Sequence, residues 1–119
     1  MIISIGRAFT LVELLIVMAI LAVLLSVALP NYLHTRKTSQ KAICINNLKK
    51  IDAAIDQWTA EHAISNGTQP TLQQEEEIYG YTNKGKPGCP AGGVYTIYPV
   101  GGVTQVRCSR EDEGHTLTE

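Results

Sequence analysis

The chain has little net charge of either sign. Its 119 residues include ten Lys and Arg against eleven Asp and Glu, which gives a formal net charge of -1. The basic residues are scattered along the sequence, so no basic patch indicates binding to nucleic acid. The length is sufficient for one small domain.

Patterns that carry catalytic chemistry are also lacking. No nucleophile stands beside a general base in a recognisable arrangement, and no glycine-rich phosphate loop follows a predicted strand. Most of the candidate acids fall on predicted surfaces. The sequence therefore favours a structural or binding protein over an enzyme.

Cysteine is scarce, with three residues at Cys44, Cys89 and Cys108. An odd count leaves at least one thiol unpaired or paired with another chain. The spacing of the three does not match the sequence pattern of a zinc site, so no metal is expected there. A disulfide is chemically permitted if this part of the chain is exported.

One long apolar run dominates the N-terminal part of the chain. Phe9 to Leu29 comprise 21 residues with a single charged side chain, that of Glu13. As a helix the run is about 31 Å long, which is the thickness of the hydrocarbon core of a bilayer. Arg7 precedes it, and positive charge there favours a C-terminal domain on the outside. The run predicts a single-pass membrane helix.

A cleaved signal peptide and a plain membrane anchor also account for such a run. Ser26-Val27-Ala28 satisfies the small-x-small pattern of a signal-peptidase site. The run is, however, longer than a typical signal core, and neither alternative gives Glu13 a role. An ionised group at the centre of a membrane helix costs about 2.5–3.5 kcal/mol, and less near the interface. Because no Lys or His lies between Glu13 and Leu29, we expect the carboxylate's partner to come from another molecule.

The residues Phe9-Thr10-Leu11-Val12-Glu13-Leu14-Leu15 resemble the N-terminal signature of type IV pilins and type II secretion pseudopilins. In that family a prepilin peptidase removes a short leader before the Phe and N-methylates the new terminus. The resemblance implies cleavage between Ala8 and Phe9, which makes Glu13 the fifth mature residue. It further implies that Glu13 pairs with the Phe9 amino group of a neighbouring subunit, and that Pro30 is the family's helix-bending proline.

Two details of this resemblance leave alternatives. The family usually has Gly where this chain has Ala8, and cleavage after Gly6 would move Glu13 out of register with the neighbour's amine. We therefore expect cleavage after Ala8. At Pro30, the chain either kinks or melts locally within a longer helix, or the membrane helix ends there.

The apolar side chains indicate a polymer. Between Leu11 and Leu29 lie 14 Leu, Ile, Val or Met residues, and exposing them to water would cost on the order of 20–40 kcal/mol. The helix must stay in lipid, be removed, or enter a bundle of its own kind, and only the bundle uses Glu13. The resemblance implies a homo-oligomeric filament assembled at the bacterial inner membrane. Prepilin peptidase, minor pilins and an inner-membrane assembly platform would be its partners, and the filament would end at the cell surface or in the periplasm.

After Pro30 the pattern becomes amphipathic. One helix face is predicted to carry Cys44, Leu48, Ile51, Ile55, Trp58 and His62. Polar residues, Asn47 among them, are predicted to face away. The helix is expected to continue to about Ile64, with Trp58 as a core anchor. His34 and His62 are expected near the surface and not as metal ligands.

The C-terminal third begins with a predicted short helix. Thr71 and Gln74 fit a capping box, and Glu75, Glu76 and Glu77 are expected on a solvated face. Tyr81 to Gly93 is rich in Gly, Pro, Asn and Lys, which is typical of a loop.

A β-hairpin is predicted next. The runs 94–99 and 103–108 are β-prone and are joined at Gly101-Gly102, which fits a two-residue turn. This register puts four residues on one face, where they can cover the apolar helix stripe: Tyr95, Ile97, Val106 and Cys108.

The hairpin also bears on the cysteines. A Cys89–Cys108 disulfide is favoured because the two residues lie at the open end of the hairpin. Cys44–Cys108 is the main rival, and Cys44 by itself is also consistent with a buried apolar residue. Calcium binding by Glu111-Asp112-Glu113 is what a major pseudopilin would imply, but these acids lack the spacing of a calcium loop. A mobile acidic tail without cofactor is the expectation.

These elements predict an α+β fold in which a long N-terminal helix, membrane half plus amphipathic half, packs on a small antiparallel hairpin, as in a pilin. The predicted domains are a leader at 1–8, a transmembrane and polymerisation helix at 9–30, and a small globular domain at 31–119. The predicted function is a structural subunit of a type IV pilus or a type II secretion pseudopilus-like filament. The alternative is an ordinary secreted or membrane-anchored small binding domain.

Overall fold

The computed structural model describes residues 8–117. Its elements in chain order are α1 (Leu11–His62), α2 (Leu72–Gly80), β1 (Tyr95–Ile97), β2 (Val106–Cys108) and a short 3-10 helix (Glu111–Glu113). The predicted α+β fold is confirmed. Residues 1–7, where most of the predicted leader falls, lie outside the described residues.

The chain divides into two compact units, and the division falls between Arg36 and Lys37. The first contains the apolar part of α1, which continues without a break through Pro30. The alternative in which the helix ends at Pro30 is therefore wrong. Pro30 has no N–H to donate to the Ser26 carbonyl, so one backbone bond of the helix is missing at this point.

The core of the second unit lies along one face of α1. The predicted stripe from Cys44 to Trp58 is buried, and Ala54 joins it. His62, predicted at the end of the stripe, is exposed, and its Nδ1 lies 3.0 Å from the carbonyl oxygen of Trp58. The helix ends at His62, and Ala63 follows in the left-handed region with φ of 49°. Burial of this stripe is the main favourable term for so small a core.

The hairpin has the predicted register. Tyr95 pairs with Cys108 and Ile97 with Val106 in an antiparallel sheet of two strands. The four residues on the predicted inward face are buried: Tyr95, Ile97, Val106 and Cys108. The amphipathic part of α1 and the hairpin therefore share one core, as expected.

The connection between the strands is longer than predicted. The strands are only three residues each, and residues 98–105 link them in place of a two-residue turn. Pro99 cannot donate to a ladder, and Val100 is buried instead of continuing the strand. The Val100 backbone pairs with the segment after α1, because its carbonyl accepts from Gly67 (2.7 Å) and its N–H donates to Thr68 (3.0 Å). Hairpin pairing therefore goes one step beyond the strands, where the Tyr98 N–H donates to the Gln105 carbonyl at 2.8 Å, and Val100 then pairs with the segment after α1.

The helix α2 begins with the predicted capping box. The Thr71 hydroxyl accepts from the Gln74 N–H at 3.4 Å, and the Gln74 side chain accepts from the Thr71 N–H at 2.9 Å. Ile78 and Tyr79 of α2 are buried against the core. Tyr81 to Gly93 contains no regular element, as predicted.

Gln105 is a buried polar residue that the sequence pattern does not reveal. Its Oε1 accepts from the Gly101 N–H at 2.9 Å. Its Nε2 donates to Asp52 at 3.2 Å and to Asp56 at 2.8 Å. Gln105 therefore joins the connection between the strands to the polar edge of α1. No spacing rule predicts such a contact.

The acidic run near the C-terminus is ordered, so the prediction of a mobile tail is wrong. Glu111 lies 3.8 Å from Arg107, and Glu113 lies 2.8 Å from Arg110. Calcium takes six to eight oxygen ligands, whereas two of these three carboxylates face guanidinium groups. That no cofactor binds to these acids stays a prediction.

Candidate assembly site

The apolar part of α1 presents its side chains outward. From Phe9 to Leu29 its large apolar residues have exposed fractions between 45% and 82%. By length and composition the helix is able to cross a membrane, and its apolar window has no buried residue. Such an uncovered surface needs lipid or other helices around it, because water solvates it poorly.

The N-terminus of α1 is organised by Thr10. The Thr10 hydroxyl accepts a hydrogen bond from the Glu13 N–H at 3.2 Å, and its carbonyl accepts from the Leu14 N–H at 3.2 Å. Thr10 therefore caps the helix in the usual way for a Thr at this position. Glu13 falls in the first turn, where the helix dipole favours a negative charge. Thr10 and Glu13, which belong to the segment that resembles the pilin signature, thus also stabilise the start of the helix.

The remaining predicted assembly residues lie on this segment. Ala8 and Phe9 precede the helix and are exposed, and Glu13 is exposed one turn into it. Pro30 lies inside the helix, well beyond the other three along its axis. The structure thus gathers the first three residues at one end of α1. The roles of all four in cleavage and assembly stay predictions.

The cysteines form a separate cluster in the second unit. Cys44, Cys89 and Cys108 are all buried and all free thiols, so the structure does not contain the predicted Cys89–Cys108 disulfide. Cys44 lies with the other two, and His115 joins them. Sequence reasoning missed this group because its four members come from four distant segments. The described structure therefore shows a cluster of four side chains and not a single bonded pair of cysteines.

The electrostatics of the thiols differ. Burial raises the pKa of Cys44 to about 12, although a hydrogen bond from the Tyr95 hydroxyl at 3.5 Å acts in the opposite direction. Burial also acts to raise the pKa of Cys89. The N–H groups of Ala91 and Gly93 and the neighbouring thiols outweigh it, and the pKa is lowered. The surroundings of Cys89 therefore favour its thiolate, whereas those of Cys44 disfavour it.

Comparisons with known proteins show which family the chain belongs to. The profile of the prokaryotic N-terminal methylation motif matches residues 2–29. The ComG operon protein 3 homolog of Bacillus licheniformis is 31% identical over 86 residues, which are 72% of this chain and 84% of that relative. The chain belongs to the type IV pilin and pseudopilin family. It is a pilin-like subunit with a membrane-compatible N-terminal helix.

A second relative matches a shorter stretch of this pilin-like protein. The prepilin peptidase-dependent protein A of Clostridium perfringens is 35% identical over 57 residues, which are 48% of this chain and 41% of that relative. No solved structure matches the chain. The family assignment therefore rests on the methylation motif and on the first relative.

Proposed function

We propose that this pilin-like protein is a structural subunit of a type IV pilus or a type II secretion pseudopilus-like filament, assembled from the inner membrane through residues 9–30. Prepilin peptidase cleaves between Ala8 and Phe9 and methylates the new terminus. The anchored subunit, its C-terminal domain outside, then passes from an assembly platform into the filament together with minor pilins. The name of the Clostridium relative, a prepilin peptidase-dependent protein, supports the processing step.

The single observation that carries this proposal is an acid on an otherwise apolar, uncovered helix. Glu13 is exposed in the first turn of α1. The apolar side chains that follow it, as far along the helix as Leu29, are exposed as well. The α-amino group of Phe9 in a neighbouring subunit supplies the opposite charge, while neighbouring helices cover the apolar side chains. A plain anchor or a signal peptide uses the apolar surface but gives the acid no partner.

Pro30 contributes to assembly in a different way. It is the twenty-second residue counted from Phe9, and it leaves the Ser26 carbonyl without its backbone donor. A helix with one missing bond bends or extends at lower cost than an intact one. Pro30 thereby lets the helix adjust as it moves from bilayer to bundle.

The test compares Glu13→Gln with the matched variant Glu76→Gln, which removes an exposed acid from α2. Both variants should insert into membranes as the wild type does, and both should be cleaved before Phe9. Glu13→Gln should give little or no filament in shear fractions, whereas Glu76→Gln should give the wild-type amount. Equal filament yields from the two variants would rule out the assembly role of Glu13.

N-terminal sequencing separates this proposal from its alternatives. A mature chain that begins with N-methylated Phe9 supports a filament subunit. A chain that begins at Leu29 shows signal-peptide cleavage after Ala28, and one that retains Met1 shows a plain anchor. Either of the last two results contradicts the proposal.

A further inference from the structure

The second unit contains a cluster of four side chains that fold together from distant parts of the sequence. Cys44 comes from α1, Cys89 from the loop after α2, Cys108 from the end of β2, and His115 from the turn after the 3-10 helix. All four are buried, with exposed fractions of 9% or less. Their ligand atoms, three sulfurs and one imidazole nitrogen, all lie within 4.8 Å of one another.

These distances fit a metal centre. A tetrahedral zinc site has Zn–S distances of about 2.3 Å and Zn–N distances of about 2.0–2.1 Å, which places neighbouring ligand atoms roughly 3.5–3.8 Å apart. The Cys89 sulfur lies 3.7 Å from Nδ1 of His115. The widest separation in the cluster would have to shorten by only about 1 Å.

The donor set identifies the metal. Thiolate sulfur and imidazole nitrogen bind zinc strongly, and four protein ligands with no open position define a structural zinc site. We propose that Cys44, Cys89, Cys108 and His115 bind one structural zinc ion. Loading replaces the three thiol protons, so Zn²⁺ with three thiolates and a neutral imidazole carries a net charge of about -1.

Groups around the cluster are placed to stabilise that charge. The Tyr95 hydroxyl donates a hydrogen bond to the Cys44 sulfur at 3.5 Å. Asn47 in turn donates to the Tyr95 oxygen at 3.3 Å and to the Gly88 carbonyl at 3.1 Å. Such outer contacts orient the ligands of a metal site and are part of its affinity.

The backbone near the cluster is shaped for close approach. A Cβ added at Gly93 would lie 2.6 Å from the Cys108 sulfur and 3.2 Å from the Cys89 sulfur, so only a glycine fits there without movement. Gly114 has φ of 84°, a left-handed conformation that turns the chain after the 3-10 helix and brings His115 inward. The two glycines therefore help to position the cluster's side chains: Gly93 leaves room for the sulfurs of Cys89 and Cys108, and Gly114 lets His115 turn inward.

The zinc site explains more of the cluster than a disulfide does. A bridge between any two cysteines would leave the third sulfur and the buried His115 without a common role. One zinc ion uses all four groups and joins four segments of a unit whose apolar core is small. It also protects the thiols from oxidation outside the membrane, because zinc has no redox chemistry of its own.

The first experiment uses the full-length chain, purified in detergent with a non-chelating reductant. Elemental analysis should find one zinc per chain. The three thiols should resist alkylation until a strong chelator is added. Replacement of zinc by Co²⁺ should give the thiolate-to-cobalt charge-transfer absorption of a tetrahedral site. A chain without zinc whose intact mass shows a disulfide, or one that carries iron in place of zinc, would overturn the proposal.

The second experiment compares His115→Gln with His62→Gln, since His62 is exposed and lies outside the cluster. His115→Gln should weaken zinc binding by more than the roughly 10–100-fold that loss of an outer-shell partner causes. His62→Gln should leave the affinity unchanged. Equal affinities in the two variants would contradict the assignment. The measurements on the wild-type chain decide the question even if a ligand variant fails to fold.

Discussion

The indole N–H of Trp58 donates a hydrogen bond to a carboxylate oxygen of Glu77 across 3.2 Å. Trp58 is the largest side chain of the core, and Glu77 lies on α2, so this bond links the α1 stripe to the second helix. The sequence predicts Glu77 on a solvated face, and the pattern of three consecutive Glu gives no sign of its bond. A buried donor that loses its acceptor costs more than the bond itself contributes.

We expect Glu77→Ala to lower the free energy of unfolding by about 1–2 kcal/mol, because it leaves the Trp58 N–H without its acceptor. Glu77→Gln keeps an acceptor oxygen and should recover most of the loss. Glu76→Ala, one residue away and exposed, is the matched control and should change stability little. Urea unfolding followed by the fluorescence of the chain's single Trp measures all three. Equal losses for Glu76→Ala and Glu77→Ala would show that the bond contributes nothing specific.

Gln105→Leu tests the polar link between the strand connection and α1. The substitution keeps the approximate volume but removes the donor to Asp52 and Asp56 and the acceptor for the Gly101 N–H. We expect a loss of about 1–3 kcal/mol in the free energy of unfolding. Gln73→Leu, at an exposed glutamine of α2, is the control. A Gln105→Leu chain as stable as the control would mean that water replaces these bonds at no cost.

Asp52 gives the second unit a pH dependence with a definite sign. Burial, and then the negative charge of Asp56, raise the pKa of Asp52 above its ordinary value of 3.8, while the Gln105 bond partly opposes the shift. Ionised Asp52 therefore destabilises the folded state above its raised pKa. That cost decreases as the pH falls through the raised pKa. It is absent below the pKa that Asp52 has in the unfolded chain, because the carboxyl group is then protonated in both states.

It follows that Asp52→Asn should stabilise the unit at neutral pH by a few tenths of a kcal/mol, since solvent screens a partly exposed pair. The difference between variant and wild type should vanish below about pH 4. Urea midpoints measured from pH 3 to pH 8 would test this. A variant that is destabilised at neutral pH, or a difference that grows towards low pH, would contradict a raised pKa at Asp52.

The features that can be predicted from the sequence are those whose contacts lie close together along the chain. The capping box at Thr71, the α1 stripe and the register of Ile97 with Val106 follow from local periodicity, and the structure confirms them. The longer strand connection could not be predicted, because Val100 pairs with Gly67 and Thr68, more than 30 residues away.

The same reason explains why the cysteine cluster escapes sequence reasoning. Zinc motifs are recognised by short spacings such as Cys-x-x-Cys. Here, by contrast, Cys44 and His115 lie 71 positions apart in sequence and meet only in the fold. The hairpin pattern correctly brings Cys108 towards the core, and Cys89 lies near it. No sequence pattern singles out His115. Without it the three cysteines pose only the question of which two pair, and with it they form the proposed four-ligand site.

Gly93→Ala tests the packing around the cluster without removing a ligand. The added Cβ would lie 2.6 Å from the Cys108 sulfur, so the sulfur or the loop must move. Overpacking of this kind typically costs about 1–3 kcal/mol, and displaced sulfurs should also bind zinc more weakly. Chemical unfolding of the zinc-free chain measures the first effect, and a competitive zinc titration measures the second.

Gly80→Ala is the matched control for this variant. A Cβ at Gly80 would meet no atom within 4 Å. Because Gly80 is the last residue of α2, alanine there should leave stability unchanged or raise it by up to about 1 kcal/mol. A Gly93→Ala chain that matches this control in both stability and zinc affinity would show that the loop is free to move away from the sulfurs. The close approach at Gly93 would then have no part in positioning Cys89 and Cys108.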